Sequence, residues 1–283
     1  MVENRPLLTV FCHVVLIIGI LVVAFPLYVT FVASTRTLDE ILTVPMPLLP
    51  GSHFWENYST ALSTGTTRGV TTGPVGRMML NSLIVALAIA FGKIAISIIA
   101  SFAIVFFRFP LRNFFFWMIF ITLMLPVEVR IIPTFKVVAD LGLINSYVGL
   151  TLPLIASATA TFLFRQFFLT VPEELCEASR IDGASPLRFF WHVLLPLSAA
   201  NMAALAVILF LYGWNQYLWP LLFTTDKEMA TAVIGLKHLI PQSDSEPAWN
   251  VAMNAALLVM LPPVLVVVAL QRWLVKGLVD SGK

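Results

Sequence analysis

The sequence predicts an all-α integral membrane protein with six transmembrane helices. Of its 283 residues, 59% are hydrophobic and only 11% are charged, whereas soluble domains carry about 25% charged residues. A helix that crosses a bilayer needs about 20 consecutive, mainly apolar residues. Six runs reach this length, at 10–33, 80–106, 114–135, 147–168, 201–223 and 251–274. The first run is too long for a signal-peptide core, so we expect a retained anchor.

The polar segments between these runs predict the orientation of the chain. Cytoplasmic loops of membrane proteins are enriched in Lys and Arg, and the short turn at 108–112 contains Arg108 and Arg112. We therefore expect 1–9 and 170–196 in the cytoplasm, and 34–79 and 224–250 in the periplasm. The predicted inner cations are Arg5, Arg108, Arg112, Arg165, Arg180, Arg188, Arg272, Lys276 and Lys283, and the predicted outer ones are Arg36, Arg68, Arg77, Arg130, Lys136, Lys227 and Lys237.

The stretch 170–196, TVPEELCEASRIDGASPLRFFWHVLLP, is the longest polar interruption in the second half of the chain. Thr170 followed by Glu173 predicts a capping box, and Gly183 predicts the end of a first short helix. Ser185 and Pro186 predict the start of a second one. Two interpretations stay open on physical grounds. The stretch is a solvated interfacial loop, or it is a bend that docks into a groove of another protein.

Lys93 lies near the middle of the second run, where a charged side chain is costly. It either attracts an anionic substrate or pairs with a neighbouring helix. Glu128 and Arg130, in the third run, either line a pathway or pair with each other. In the fifth run, Trp214, Asn215 and Gln216 suit a hydroxyl-rich ligand, through ring stacking and hydrogen bonds. The alternative for them is hydrogen bonding between helices.

No catalytic constellation is recognisable. Gly92-Lys93 lies inside an apolar run, with Leu87 where a nucleotide-binding loop would have its first glycine. The two cysteines and four histidines lack metal-ligand spacing; they are Cys12, Cys176, His13, His53, His192 and His238. A net charge of +2 gives no argument for nucleic acid. We expect a transport subunit that is not an enzyme and binds no cofactor or metal.

The stretch 170–196 resembles the EAA loop of ABC importer permeases. That motif reads Glu-Ala-Ala, three residues, Gly, nine residues, Ile, one residue, Leu-Pro. The chain has Glu177-Ala178-Ser179, Gly183, Val193 and Leu195-Pro196 at the same spacing, with Ser179 and Val193 as departures of similar size. The resemblance implies a coupling helix that seats in a cleft of a cytoplasmic ATPase. The residues it assigns to that contact are Glu177, Ala178, Ile181, Asp182 and Gly183.

The six-helix layout resembles the maltose-type, carbohydrate-uptake ABC permeases, most firmly over 76–275, and so implies the type I importer permease fold. The segments RFPLRNFFFWMIFITLMLPVEVR at 108–130 and YGWNQYLWPLL at 212–222 are similar to the second permease subunits of the sn-glycerol-3-phosphate branch. The resemblance implies a bacterial inner-membrane complex. Its other members would be a sister permease, two copies of an ATPase that holds ATP and Mg, and a periplasmic solute-binding protein.

The substrate implied by this resemblance is sn-glycerol 3-phosphate, with glycerophosphodiesters as a second class. A permease of the same class that carries a neutral sugar or oligosaccharide is the alternative. An ion-driven secondary carrier is a remote one, because such carriers use inverted repeats and intramembrane acids at broken helices. Glu128 is the one plausible acid for that role.

Overall fold

The chain is helical along most of its length in a computed structural model, which describes residues 6–64, 66–67, 70–71, 73–239 and 248–279. Within these ranges the side chains of 6, 66–67, 70–71, 127–128 and 274–279 are left out of the description. The helices are α1 Pro6–Ser34, α2 Leu38–Ile41, α3 Phe54–Ser63, α4 Val75–Phe106, α5 Arg112–Ile121, α6 Val127–Asp140, α7 Tyr147–Thr151, α8 Ala158–Leu169, α9 Glu173–Ile181, α10 Pro186–Phe189, α11 Leu195–Leu197, α12 Ala199–Trp214, α13 Leu218–Phe223, α14 Ala232–His238 and α15 Trp249–Val279.

Shorter elements complete the chain. The strands β1, Thr66–Thr67, and β2, Val70–Thr71, pair antiparallel. Three 3₁₀ turns lie at Thr122–Met124, Leu152–Leu154 and Lys227–Met229, and a π-helical segment, Phe190–Leu194, joins α10 to α11. π-Helical turns are rare and are frequent at functional sites.

Three helices in the described ranges are long and apolar enough to cross a membrane: Leu7–Ser34, Val75–Phe106 and Trp249–Trp273. Three bent helix pairs meet the same test, so the number of spans is up to six if each pair counts as one. This agrees with the six predicted transmembrane helices. The first, second and sixth predicted runs are single helices that extend a few residues beyond the predicted ends.

The predicted transmembrane run at 114–135 is interrupted by a break between two helices. α5 passes into a 3₁₀ turn, Leu125 is extended with φ −87° and ψ 114°, and α6 starts after Pro126. The residue before a proline is disfavoured in the α region, and proline has no N–H to continue the helix. The run at 147–168 also breaks, between Leu154 and Ala158, with a bend of 47°. There Ser157 caps α8 by accepting from the Ala160 N–H at 3.3 Å.

The predicted run at 201–223 likewise contains two helices. α12 ends at Trp214, and α13 is a separate helix that starts at Leu218. The bent helix pair that is long and apolar enough for one membrane span joins Pro186–Leu197 to Ala199–Trp214 at 70°. The apolar helical segment that leads into α12 therefore begins inside the predicted 170–196 loop.

The described residues form two compact units, one within 1–77 and 235–260 and the other within 78–234 and 261–283. In the first unit, the buried Asn57 on α3 joins three elements. Its amide donates to the backbone oxygens of Ser34 and Arg36, both at 2.9 Å, and its oxygen accepts from Asn250 at 3.0 Å. These bonds tie the end of α1 to the start of α15.

The second unit has an aliphatic and aromatic core beside α4. Its members come from α4, α6, α7, the following 3₁₀ turn and α13, and are Val85, Ile89, Ile131, Val138, Leu150, Leu154, Trp219 and Phe223. α12 approaches α4 closely, because a Cβ added at Gly213 would lie 2.8 Å from the Ala86 Cα. Such approach through a small residue is typical of membrane helix pairs.

Candidate functional site

The bend between α9 and α10 has the local geometry that its sequence predicts. Gly183 adopts φ +71°, and its N–H and that of Ala184 donate to the carbonyls of Arg180 and Ser179 at 3.0 and 2.9 Å. Glycine reaches this left-handed conformation without steric cost. Ser185 then caps α10 by accepting from the Arg188 N–H at 3.3 Å. The predicted helix end and the predicted helix start are both confirmed.

The predicted capping box at Thr170 is wrong. Thr170 is the C-terminal cap of α8, and its hydroxyl donates to the Phe167 carbonyl at 2.7 Å. The N-cap of α9 is Pro172, which makes no side-chain cap hydrogen bond. Pro172 has ψ 138°, which lies outside the helical region, so Glu173 is the first helical residue. Val171, which precedes the proline, is disfavoured in the α region, so a helix start at Val171 is unfavourable.

The five residues expected to meet an ATPase lie on the exposed surface of α9 and the turn after it. Glu177, Ala178, Asp182 and Gly183 are exposed, and the Ile181 side chain is 85% exposed. An isoleucine this open to solvent buries little apolar area within its own chain, and burying it against a partner would be favourable by about 1.5–3 kcal/mol. The bend therefore presents an apolar and acidic surface.

A cluster of phenylalanines fixes the base of this bend to the end of α4. Phe106 has its ring centroid 5.6 Å from that of Phe189 and 5.8 Å from that of Phe168. Phe102 lies 4.9 Å from Phe190, the first residue of the π-helical segment. Aromatic pairs at these distances stabilise packing beyond their buried area. The predicted site residues do not include this cluster, although the density of phenylalanine in 102–116 and 162–190 is a signal for it.

On its inner side α9 lines a cleft with α10 and the last turn of α4. Cys176 lies in this cleft and is half-buried. Burial raises the pKa of its thiol, the Arg180 guanidinium opposes this, and Glu173 and Glu177 add to it.

Lys93 lies on the buried face of α4, with 7% of its surface exposed. Its Nζ lies 3.6 Å from the centroid of the Tyr212 ring on α12, which is a cation–π contact. In the part of the chain whose side chains are described, no carboxylate oxygen lies within 4.0 Å of this ammonium. Lys93 thus contacts a neighbouring helix through an aromatic ring, and its ammonium has no acidic partner among the described side chains.

Arg130, on α6, is exposed and close enough to Lys93 for the two positive charges to repel each other. The structure therefore brings two of the sequence-predicted pathway cations into one region. The side chain of Glu128 lies outside the described residues, so its pairing with Arg130 stays a prediction.

The fifth-run candidates lie at the end of a helix rather than inside one. Trp214 is only 1% exposed and stacks on Phe210 at 5.7 Å. Asn215 caps α12 through its own N–H, which donates to the Leu211 carbonyl at 3.0 Å. The Gln216 amide donates to the Tyr212 carbonyl at 3.0 Å. The Gln216 side chain thus satisfies a carbonyl that the ending helix leaves free, and of the three residues only Asn215 presents an exposed side chain.

No group of three or more His, Cys, Asp or Glu side chains with metal-binding geometry occurs among the residues that the structure covers. The candidate functional features of the second unit are the exposed bend between α9 and α10 and the buried Lys93 between α4 and α12.

A protein-family comparison matches residues 93–280 to the binding-protein-dependent transport system inner membrane components. The chain belongs to this family. A transport system inner membrane component is a transport subunit, which confirms the prediction that the chain is not an enzyme. The matched range starts later than the predicted 76–275 and ends a few residues beyond it.

Relatives of this inner membrane component match it over their full length. The sn-glycerol-3-phosphate transport system permease proteins UgpE of Agrobacterium fabrum, Pectobacterium atrosepticum and Brucella melitensis are 60%, 61% and 59% identical to it. Each of the three alignments covers 100% of this chain and 100% of the relative. These identities confirm the resemblance to ABC importer permeases on which the sequence analysis relied.

A solved structure confirms the fold. A chain in the crystal structure of a bacterial ABC transporter involved in the import of the acidic polysaccharide alginate superposes with a TM-score of 0.79. The alignment covers 96% of this inner membrane component and 98% of that chain at 19% identity. The family and this likeness together confirm the predicted all-α membrane permease fold, a multi-pass membrane location, and dependence on partner components in general.

Proposed function

We propose that this inner membrane component is the permease subunit of an ATP-driven importer of sn-glycerol 3-phosphate and forms half of its translocation pathway. The names of relatives about 60% identical over the whole chain support the substrate. Glycerophosphodiesters are the second substrate class that we propose. Both classes share an anionic phosphate group.

The structural observation that supports an anionic substrate is the buried charge of Lys93, which has no carboxylate within 4.0 Å among the side chains that the structure describes. Transferring an ammonium group out of water without a partner anion is unfavourable, and the Tyr212 ring offsets only part of this cost. The nearby charge of Arg130 raises the cost further. A phosphate group that entered between these cations would lower the energy of both. We therefore assign Lys93 and Arg130 to the substrate pathway.

The remaining pathway candidates receive different roles. Asn215 is exposed and stays a candidate to donate hydrogen bonds to glycerol hydroxyls. Trp214 packs against Phe210, and the Gln216 side chain is bonded to the end of α12. We therefore propose that these two residues shape the pathway without contacting the substrate. Glu128 stays a candidate.

We further propose that the bend at α9 and α10 couples the chain to ATP hydrolysis. Glu177 and Asp182 would make polar contacts, Ala178 and Ile181 would fill an apolar groove, and Gly183 would allow close approach. The exposure of Ile181 supports this role. In this proposal two ATPase copies that hold ATP and Mg, one sister permease and a periplasmic solute-binding protein complete the complex. Both termini of the chain lie in the cytoplasm.

The test is uptake of labelled sn-glycerol 3-phosphate by cells that lack other routes, with the partner subunits present and with or without this chain. We expect uptake that requires the chain and ATP. Uptake of a neutral sugar in place of the phosphate would overturn the substrate and keep the permease class. Uptake that follows an ion gradient and ignores ATP would overturn the class as well.

A further inference from the structure

The cleft beneath α9 has the dimensions of a ligand site. It has a volume of about 490 Å³ and is lined by the last residues of α4, by the inner side of α9 and by the start of α10. It lies wholly within the second unit. The roles proposed above use the opposite, exposed side of α9, so this cleft belongs to neither the coupling surface nor the substrate pathway.

One part of the cleft wall is apolar. It is formed by phenylalanines that include Phe106, Phe107 and Phe189, and Phe107 is 41% exposed. Phe106 is the last residue of α4, a helix long and apolar enough to span a membrane. The cleft therefore opens at the level where a membrane-spanning helix ends, which is where lipid headgroups meet the hydrocarbon region.

The other part of the wall is charged. Arg108 and Arg180 both line it, together with Glu173. Among the described side chains, neither arginine has a carboxylate within 4.0 Å, so both guanidinium groups are available to an anion. With two arginines and one glutamate, positive charge exceeds negative charge in the lining.

We propose that this cleft binds the headgroup phosphate of a membrane phospholipid. Guanidinium groups bind phosphate through paired, charge-assisted hydrogen bonds, and basic pockets at the membrane surface recognise lipid headgroups. The phenylalanines would contact the start of an acyl chain. Glu173 would face the rest of the headgroup, as a hydrogen-bond acceptor for a glycerol hydroxyl or an ethanolamine ammonium. A lipid at this position would contact both α4 and the bend.

The apolar wall is the reason for preferring a lipid over other anions. Free phosphate would use the two arginines and leave the exposed Phe107 ring in water. An acidic side chain of a partner ATPase would do the same, because a carboxylate on a short stem presents little apolar surface. A phospholipid satisfies both walls at once.

Cys176 provides a built-in reporter, since it lines the same cleft. We would purify the complete importer in detergent and measure how fast a small water-soluble thiol reagent modifies Cys176, by mass spectrometry of its peptide. Short-chain phosphatidylglycerol and phosphatidylethanolamine would be titrated in separate experiments. We expect either lipid to slow the modification in a saturable way.

The matched variants are the double substitution Arg108→Gln with Arg180→Gln, and Arg188→Gln as a control. Arg188 is an exposed arginine on the same bend that does not line the cleft. The double variant should need at least about tenfold more lipid for half protection, given the strength of charge-assisted hydrogen bonds. Arg188→Gln should behave as the unsubstituted complex does.

Native mass spectrometry of the unsubstituted complex gives a second measurement that needs no variant, and it should show phospholipid retained after purification. Three results would overturn the proposal. Lipid could fail to protect Cys176, or inorganic phosphate alone could protect it as well as lipid does. The third is protection that depends on the presence of the ATPase and not on lipid, which would assign the cleft to that partner.

Discussion

Gly92 and Ile155 are in direct contact, and no larger residue fits at position 92. A Cβ added to Gly92 would lie 2.6 Å from the Ile155 Cγ2 and 2.9 Å from its Cβ. Gly92 directly precedes Lys93 on α4, and Ile155 follows the 3₁₀ turn Leu152–Leu154. The break in the fourth predicted run thus meets α4 next to the buried cation.

Gly92→Ala should destabilise the protein by about 1–3 kcal/mol, the usual effect of overpacking. The added methyl meets a side chain, so adding Ile155→Ala, which removes Cγ2, should restore part of the loss. The measurement is the midpoint of thermal aggregation of the purified complex. Gly19→Ala is the control, because nothing lies within 4 Å of its added Cβ.

Gly213→Ala should be destabilising without such relief, because the nearest atom to its added Cβ is the backbone Cα of Ala86, at 2.8 Å. The same thermal measurement applies, with Ala86→Gly as the second substitution. A full recovery in that double variant would contradict the view that the two helix backbones determine this contact.

Asn81→Leu should lower stability more than Tyr147→Phe. The buried Asn81 amide donates to the carbonyls of Glu228 and Ala230 at 2.8 and 3.0 Å and accepts from the Tyr147 hydroxyl at 2.7 Å. Tyr147→Phe removes one bond, worth about 1 kcal/mol, whereas Asn81→Leu also leaves two carbonyls without this donor. Equal shifts in the unfolding midpoint would show that the tyrosine bond carries the network.

Lys93→Met should reduce uptake of sn-glycerol 3-phosphate by at least about tenfold if the ammonium attracts the phosphate. Lys93→Arg keeps the charge and should retain much of the uptake. Tyr212→Phe keeps the aromatic ring and is the control for altered packing. Transport assays in proteoliposomes give the rates, and complex assembly is verified by size-exclusion chromatography. Normal uptake by Lys93→Met would favour a purely structural contact with Tyr212.

Gly183→Asn should preserve coupled transport better than Gly183→Ala. Position 183 needs φ +71° and has open space around an added Cβ, so the effect of a substitution comes from backbone conformation rather than from internal crowding. Asparagine tolerates the left-handed region better than alanine does, and the difference is about 1 kcal/mol. The measurement is substrate-stimulated ATP hydrolysis by the complete complex. Identical behaviour of the two variants would show that the helix end does not need this conformation for coupling.

The reactivity of Cys176 should depend on the charges beside it. Burial raises the pKa of this thiol and Arg180 lowers it, so Arg180→Gln should shift the pH profile of thiol labelling to higher pH. Glu177→Gln removes a charge that raises the pKa and should shift the profile to lower pH. Labelling rates measured across the alkaline range give both profiles. Shifts of the opposite sign would contradict the observed arrangement of these side chains around the thiol.

The sequence alone determined the membrane class and the internal geometry of the bend. Composition and run length suffice for the class, because the bilayer requires long apolar helices whatever their partners are. The turn at Gly183 and the start at Ser185 were predictable too, since both depend on hydrogen bonds between residues at most five positions apart. The EAA motif that indicated the family was also readable from the sequence, because it consists of residue types at a fixed spacing.

Only the tertiary structure decided where the run at 201–223 breaks and what the polar residues of the apolar runs face. α12 ends at Trp214 although the apolar run continues to Phe223, whereas the break before α6 follows from Pro126 and was visible in the sequence. The partner of Lys93 is Tyr212, on a helix far away in sequence, and the phenylalanines that hold the bend come from three separate segments. The position of a charged residue within an apolar run shows that its side chain is costly in a membrane. Which neighbour relieves that cost depends on helix–helix packing, which no short stretch of sequence encodes.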